Sequence, residues 1–240
     1  MAAVLFDMDG TLIDSITPIR MAIGKTLEEF GYGPLEPREI KYFVGTSLSE
    51  ALKHWTPDPA PMVMRYQEIY IQNFAGGCTT FPGIVEMLDA LQGKLDMGII
   101  TLNANHEAGE VLRRVGLIKY FDFVFGDDAQ RSPYRIKPHP QHYFYALNKM
   151  GIIDDARYDS LSDVDDILKS DVELDTHMVV HVGDAPQDMI GSNRAGITAI
   201  GAAWRKDRPD IGNSLLAAGA EIILSEPGDL IGYLKVRRFL

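Results

Sequence analysis

Six short apolar, β-branched runs punctuate the chain, at residues 2–6, 97–101, 123–126, 178–183, 198–203 and 221–225. Each is strand-sized. Between them apolar positions recur at helical spacing, as in Ile84, Met87, Leu88 and Leu91, and again over residues 107–115. Strands alternating with helices predict an α/β fold built on a doubly wound parallel sheet with both faces covered.

One stretch breaks the alternation. Residues 15–80 carry helical patterns at 17–30, 47–55 and 61–75 and no convincing strand before Phe81-Pro82-Gly83. The expected division is therefore a core of residues 1–14 and 81–240 with an inserted α-helical cap of residues 15–80. In open α/β sheets ligands sit beyond the carboxyl ends of the strands, so an insert placed after the first strand would overhang that site. Tyr42, Trp55, Tyr66 and Tyr70 within it read as helix-packing residues.

Composition narrows this picture only modestly. The chain has 240 residues, 46% hydrophobic and 24% charged, as expected for a folded protein with a sizeable core. Its net charge is -11, but residues 154–175 hold nine acids against Arg157 and Lys169. The remainder is only mildly acidic, which argues against nucleic acid as a partner and says little about substrate. Asp163-Val164-Asp165-Asp166 in that segment lacks the glycine and glutamate register of a calcium loop and reads as a solvated excursion. The one cysteine, Cys78, is expected to be inert. The six histidines show no zinc spacing. The opening apolar run is cut by Asp7 and no apolar stretch reaches membrane-spanning length, so a soluble, cytoplasmic protein without membrane contacts is expected.

Chemistry collects at the strand ends. Asp7 and Asp9 follow the first run, Thr101 closes the second, and Gly183, Asp184 and Asp188 follow the fourth; Lys137 stands in Lys-Pro-His-Pro before a helical segment. Each alone could be a turn, a cap or a solvated side chain. In order and spacing, Asp-Met-Asp-Gly-Thr at 7–11, the strand ending in Thr101, Lys137-Pro-His-Pro and Gly183-Asp-Ala-Pro-Gln-Asp188 resemble the four motifs of the haloacid dehalogenase superfamily. Asp14-Ser15, the helical insert and Arg194-Ala-Gly-Ile197 are similar to its phosphoglycolate phosphatase and β-phosphoglucomutase branch, whose core is Rossmann-like and whose cap is helical.

The resemblance implies hydrolysis of a small phosphorylated metabolite, with phosphoglycolate as the leading candidate, by a monomer or homodimer. Asp7 would be the nucleophile that forms an aspartyl-phosphate, and Asp9 the acid that protonates the leaving alcohol and then the base for water. Mg²⁺ would be held by Asp7, the Asp9 carbonyl and Asp184, with Asp188 either ligating it or bonding its waters. Lys137 and Thr101 would meet the phosphoryl oxygens, with Leu102 and Asn103 beside them, although Leu102 departs from the small or polar residue common in relatives. In the cap, Gly45, Thr46, Ser47 and Arg20 or Lys41 would supply selectivity.

Other activities remain in competition. Dehalogenases do not need the second acid, so Asp9 favours phosphoryl chemistry. Sugar phosphomutases of the β-phosphoglucomutase type usually place an arginine where Leu48 stands here. A phosphoacceptor signalling module also presents acids, Thr and Lys on a parallel sheet, but needs neither Asp9 nor a cap.

Overall fold

The structure, a computed structural model, describes residues 2–43, 46–127, 137–162 and 176–240. The chain begins with β1 (Ala3–Phe6) and β2 (Ile13–Asp14), then enters α1 (Ile16–Glu29), a 3-10 run over Pro37–Phe43, α2 (Leu48–Leu52) and α3 (Ala60–Ile69) before returning through β3 (Thr79–Thr80). It continues as α4 (Ile84–Leu91), β4 (Asp96–Ile100), α5 (Asn105–Arg114), β5 (Phe123–Phe125), α6 (Gln141–Lys149) and α7 (Asp155–Ser162). The last elements are β6 (Val179–Gly183), α8 (Pro186–Arg194), β7 (Thr198–Ala202), α9 (Ile211–Ala217), β8 (Ile222–Leu224) and α10 (Asp229–Val236).

All six expected strands form one sheet in the order β5-β4-β1-β6-β7-β8, and every neighbouring pair is parallel. Its core follows from the two-residue period of a strand. On β1, Val4 and Phe6 pack to one side with Ile84, Leu88 and Val111, while Ala3 and Leu5 pack to the other with Tyr143, Phe144 and Leu147. All four β1 side chains are fully buried. At roughly 1.5–3 kcal/mol for each large apolar side chain, burial on both faces makes β1 a strand that can only be central.

Two short strands escape the sequence pattern. Ile13–Asp14 pairs antiparallel with Thr79–Thr80, clamping together the two chain segments that lead into and out of the helical stretch. Two residues are too few to show alternation, and Thr79–Thr80 corrects the expectation that no strand precedes Phe81. The apolar positions of the stretch, among them Ile23, Leu27, Leu52, Met62 and Ile69, are buried in the same hydrophobic cluster as Val4 and Phe6. Tyr66 stacks on Tyr70 with ring centroids 5.6 Å apart, and Tyr42 and Trp55 also make ring contacts, as packing residues do. Cys78 is buried with the Tyr70 hydroxyl 3.2 Å from its sulfur, and burial pushes its thiol pKa up, against thiolate chemistry. The acidic motif at 163–166 lies outside the described residues. No helix among the described residues is long and apolar enough to cross a membrane.

Sheet packing also explains one glycine. A Cβ on Gly98 of β4 would sit 2.3 Å from the Phe123 ring of β5. Gly98→Ala should therefore destabilise the fold by about 1–3 kcal/mol through overpacking, read as a lowered urea midpoint with unchanged slope. An unchanged midpoint would show that Phe123 moves aside freely.

Candidate active site

The chain runs outward from β1 through β4 to β5 and then crosses back to β6, so the strand order reverses between β1 and β6. At such a switch point the carboxyl ends of the strands leave a crevice. The register sets what lies there. Phe6 pairs with Val182, the Asp7 amide donates to the Val182 carbonyl at 2.9 Å, and Asp184 follows directly after Gly183. Asp7 and Asp184 therefore leave adjacent strands together.

Asp188 joins them from the first turn of α8, where its Oδ2 accepts the Ala185 amide at 3.1 Å as part of the helix cap. Two glycines admit this crowding. Gly10 adopts φ +90° and a Cβ there would lie 2.4 Å from Asp184 Oδ2, while a Cβ on Gly183 would lie 2.5 Å from Asp188. One carboxylate oxygen from each of Asp7, Asp184 and Asp188 lies within 4.8 Å of the others, and all three residues are buried.

Lys137 answers part of that charge. Its Nζ donates to Asp7 Oδ1 at 2.6 Å and to Asp188 Oδ1 at 2.9 Å, with its side chain 1% exposed. Burial opposes its charge, but Asp188 and Asp7 outweigh that and hold its pKa above the ordinary lysine range. The carboxylates remain strained. Burial pushes Asp7 up, with Lys137 pulling against it and Asp188 adding to it. Burial, with Asp7 and Asp188 nearby, raises Asp184 to about 7 despite Arg205 and Arg208.

Three buried carboxylates offering only oxygen, shared among Lys137, Arg205 and Arg208, suit a hard divalent cation such as Mg²⁺. The Asp9 carboxylate stands apart from this trio. Its Oδ1 accepts the Ser15 hydroxyl and its Oδ2 accepts the Asn103 amide at 2.6 Å. Burial raises its pKa to about 6; the Ser15 and Asn103 hydrogen bonds oppose that and the Asp7 charge reinforces it.

Thr101, buried at the end of β4, takes the Asn103 amide on its hydroxyl at 3.2 Å and lines the same cavity as Asp7 and Lys137. That cavity, about 1040 Å³, extends from the strand ends to the helical stretch. Leu102, Asn103, Arg20 and Thr46 line it; Ser47 does not. Ser47 is instead buried as the cap of α2, accepting the Glu50 amide at 3.2 Å, and its neighbour Ser49 faces the cavity. Gly45 and the Lys41 side chain lie outside the described residues.

The strand-end rule missed several participants. Ser15 and Asn103 hold Asp9, Thr11 donates to Asp7 Oδ2 at 3.3 Å, and Arg205 donates to Asp184 Oδ2 at 3.1 Å while forking onto Asp207 at 3.1 and 2.7 Å. Arg208 approaches the same Asp184 oxygen at 3.5 Å. Arg205 follows β7 closely, so carrying the rule to that strand end would have found it.

The chain is similar to known proteins along most of its length. A pyrophosphatase, PpaX, from Bacillus pumilus is 28% identical over 218 residues, covering 86% of this chain and 89% of its own. A phosphoglycolate phosphatase from Aquifex aeolicus is 25% identical over 234 residues, covering 96% of this chain and 95% of its own. Among solved structures, a haloacid dehalogenase-like hydrolase from Streptococcus pneumoniae superposes with a TM-score of 0.74 at 21% identity, covering 98% of each chain. The family model for haloacid dehalogenase-like hydrolases matches residues 4–202, which include Asp7, Asp9, Thr101, Lys137, Asp184 and Asp188, and the chain belongs to that family of enzymes.

Proposed function

We propose that the chain is a Mg²⁺-dependent phosphatase that cleaves a small phosphate monoester through an aspartyl-phosphate on Asp7. The observation that carries this reading is the separation of the acids: Asp7, Asp184 and Asp188 converge under Lys137, while Asp9 is held apart on Ser15 and Asn103. One set of carboxylates suits a cation and a nucleophile. The other suits proton transfer.

Bound Mg²⁺ would supply the positive charge that lets an anionic carboxylate approach an anionic phosphate. Asp7, Asp184 and Asp188 would hold it; the Asp9 side chain is engaged elsewhere, which leaves its backbone carbonyl as the further ligand the family resemblance implies. A carboxylate oxygen of Asp7 bonds to phosphorus as the ester P–O bond breaks. The departing alkoxide takes the Asp9 proton. Water then attacks phosphorus, gives a proton to Asp9, and frees inorganic phosphate with the Asp7 carboxylate restored.

A carboxyl with a pKa of about 6 can hold and release a proton near neutrality, as this cycle needs. Lys137 and Thr101 stabilise charge on the phosphoryl oxygens. Asn103 is better placed to hold Asp9 than to meet phosphate. Residues 15–80 act as the cap, with Arg20, Thr46, Ser49 and Gln67 among its polar contributions to the cavity. Phosphoglycolate, the substrate named for one relative, is the first ester to assay. Leu48 turns an apolar side chain to the cavity where a phosphomutase arginine would be expected, which supports hydrolysis over phosphoryl return.

Asp7→Asn should lower phosphate release from p-nitrophenyl phosphate by at least roughly 10³-fold. Asp9→Asn should instead give a rapid burst approaching one equivalent of nitrophenol and then slow turnover, because this alcohol leaves without a proton and the phosphorylated enzyme accumulates. Full steady activity of either variant would remove that residue from its role.

A second expectation concerns pH. With the Asp184 carboxyl raised to about 7, the stability it contributes to the metal-free fold is lost as pH rises through 7, when buried charge must be carried. Mg²⁺ binds the ionised form, so its stabilisation of the protein should be larger at pH 8 than at pH 6. Thermal unfolding with and without Mg²⁺ at both values checks this, and equal shifts would argue against Asp184 as a ligand.

A further inference from the structure

Most of the charge in the cavity lies toward one end. Asp7, Asp9, Asp184, Asp188, Lys137 and Arg205 all belong to the strand-end floor. The opposite wall is built by the helical stretch, where α1 presents Ile16, Ile19 and Ile23 at helical spacing and Leu35, Phe43 and Val63 continue the apolar surface. Arg20 is the one charged residue that the stretch contributes among the described lining residues. Ile19, Leu35, Phe43 and Val63 are only partly buried although they pack against the core, so they retain surface that can be covered.

Size points the same way. At about 1040 Å³ the cavity lies at the upper end of the roughly 300–1,000 Å³ typical of pockets for drug-sized ligands. A two-carbon acid would leave most of it to water. The polar groups of this wall, Arg20, Thr46, Ser49, Tyr66 and Gln67, are interspersed with a larger apolar surface, so sugar hydroxyls that fell against the isoleucines, Leu35 or Val63 would be left unpaired at a cost for each.

We infer that the substrate is a phosphate monoester whose alcohol is a bulky, mainly apolar alkyl or aryl body, seated against the Ile19, Leu35 and Val63 wall while its phosphate meets Asp7 and Lys137. This rests on the phosphatase reading and narrows the leaving group. The reaction is unchanged: the ester bond to phosphorus breaks, water supplies the oxygen that enters phosphate, and the apolar alcohol leaves with a proton.

The test is kcat/KM of the full chain with Mg²⁺ on ethyl, butyl and hexyl phosphate, with phosphoglycolate, glucose 6-phosphate and p-nitrophenyl phosphate alongside. Since each buried methylene is worth roughly fourfold, the value should rise at least tenfold from ethyl to hexyl phosphate, and hexyl phosphate should exceed both polar esters. Ile19→Asn should shrink the hexyl-to-ethyl ratio at least threefold; Val63→Asn provides the same readout should the first variant not fold. A flat series, preference for phosphoglycolate or glucose 6-phosphate, or an unchanged ratio in a folded variant overturns the inference while leaving the phosphatase reading intact. Failure to hydrolyse any of the esters, p-nitrophenyl phosphate included, overturns both.

Discussion

Bringing three carboxylates together inside a protein is the constraint on which the rest of this structure depends. Asp7, Asp184 and Asp188 are each less than a tenth exposed, and their mutual repulsion adds to the loss of hydration that each suffers alone. Such a cluster is sustained only where the backbone leaves no alternative. Here the parallel pairing of β1 with β6 delivers two of the acids side by side, and the cap of α8 returns the third beside them. Apolar burial on both faces of β1 supplies the free energy that offsets their crowding.

Compensation is partial, and that is chemically useful. Lys137 bridges Asp7 and Asp188, and Arg205 reaches Asp184, yet Asp7 and Asp184 are still pushed toward protonation. A site fully neutralised by its own side chains would have little attraction for a cation. Here Asp7 and Asp184 still lean toward protonation, and glycines at positions 10 and 183 keep any Cβ out of the space beside them, an arrangement compatible with a cation. Asp9 avoids the cluster because the chain leaves the sheet after Phe6 and Ser15 and Asn103 take both of its oxygens. Sharing a stretch of backbone, Asp7 and Asp9 thereby come to differ in environment, which is what two different tasks require.

Much of this was legible in sequence because the features involved are periodic or terminal. Six strands showed as β-branched runs, and the residues ending three of them proved to share one crevice. What escaped was non-periodic. The β2–β3 pair is too short to alternate. Ser47 in a polar loop could have faced a ligand or capped a helix, and the α2 backbone claims it. Arg205 went unread because the strand-end rule was not carried to β7; its reach back to Asp184 follows from β7 lying beside β6 in the sheet. Asn103 was expected beside the phosphoryl group, whereas its side chain donates to Asp9, 94 positions away in sequence.

The same geometry separates reactivity from selectivity. The floor of the cavity is drawn from strand ends, where a shift of one residue would turn a carboxylate away from its partners. Its opposite wall is drawn from helices whose exposed positions can change without disturbing the sheet. Relatives at 28% and 25% identity bear the names of different activities, a pyrophosphatase and a phosphoglycolate phosphatase, so overall similarity does not choose the leaving group. On the function proposed above, the choice lies with what the helical stretch presents above Asp7. In this chain that is a face of α1 with three isoleucines and one arginine, beside Thr46, Ser49 and Gln67, and under the inference above its apolar members would reward apolar area while its polar members fix where hydrogen bonds can be made.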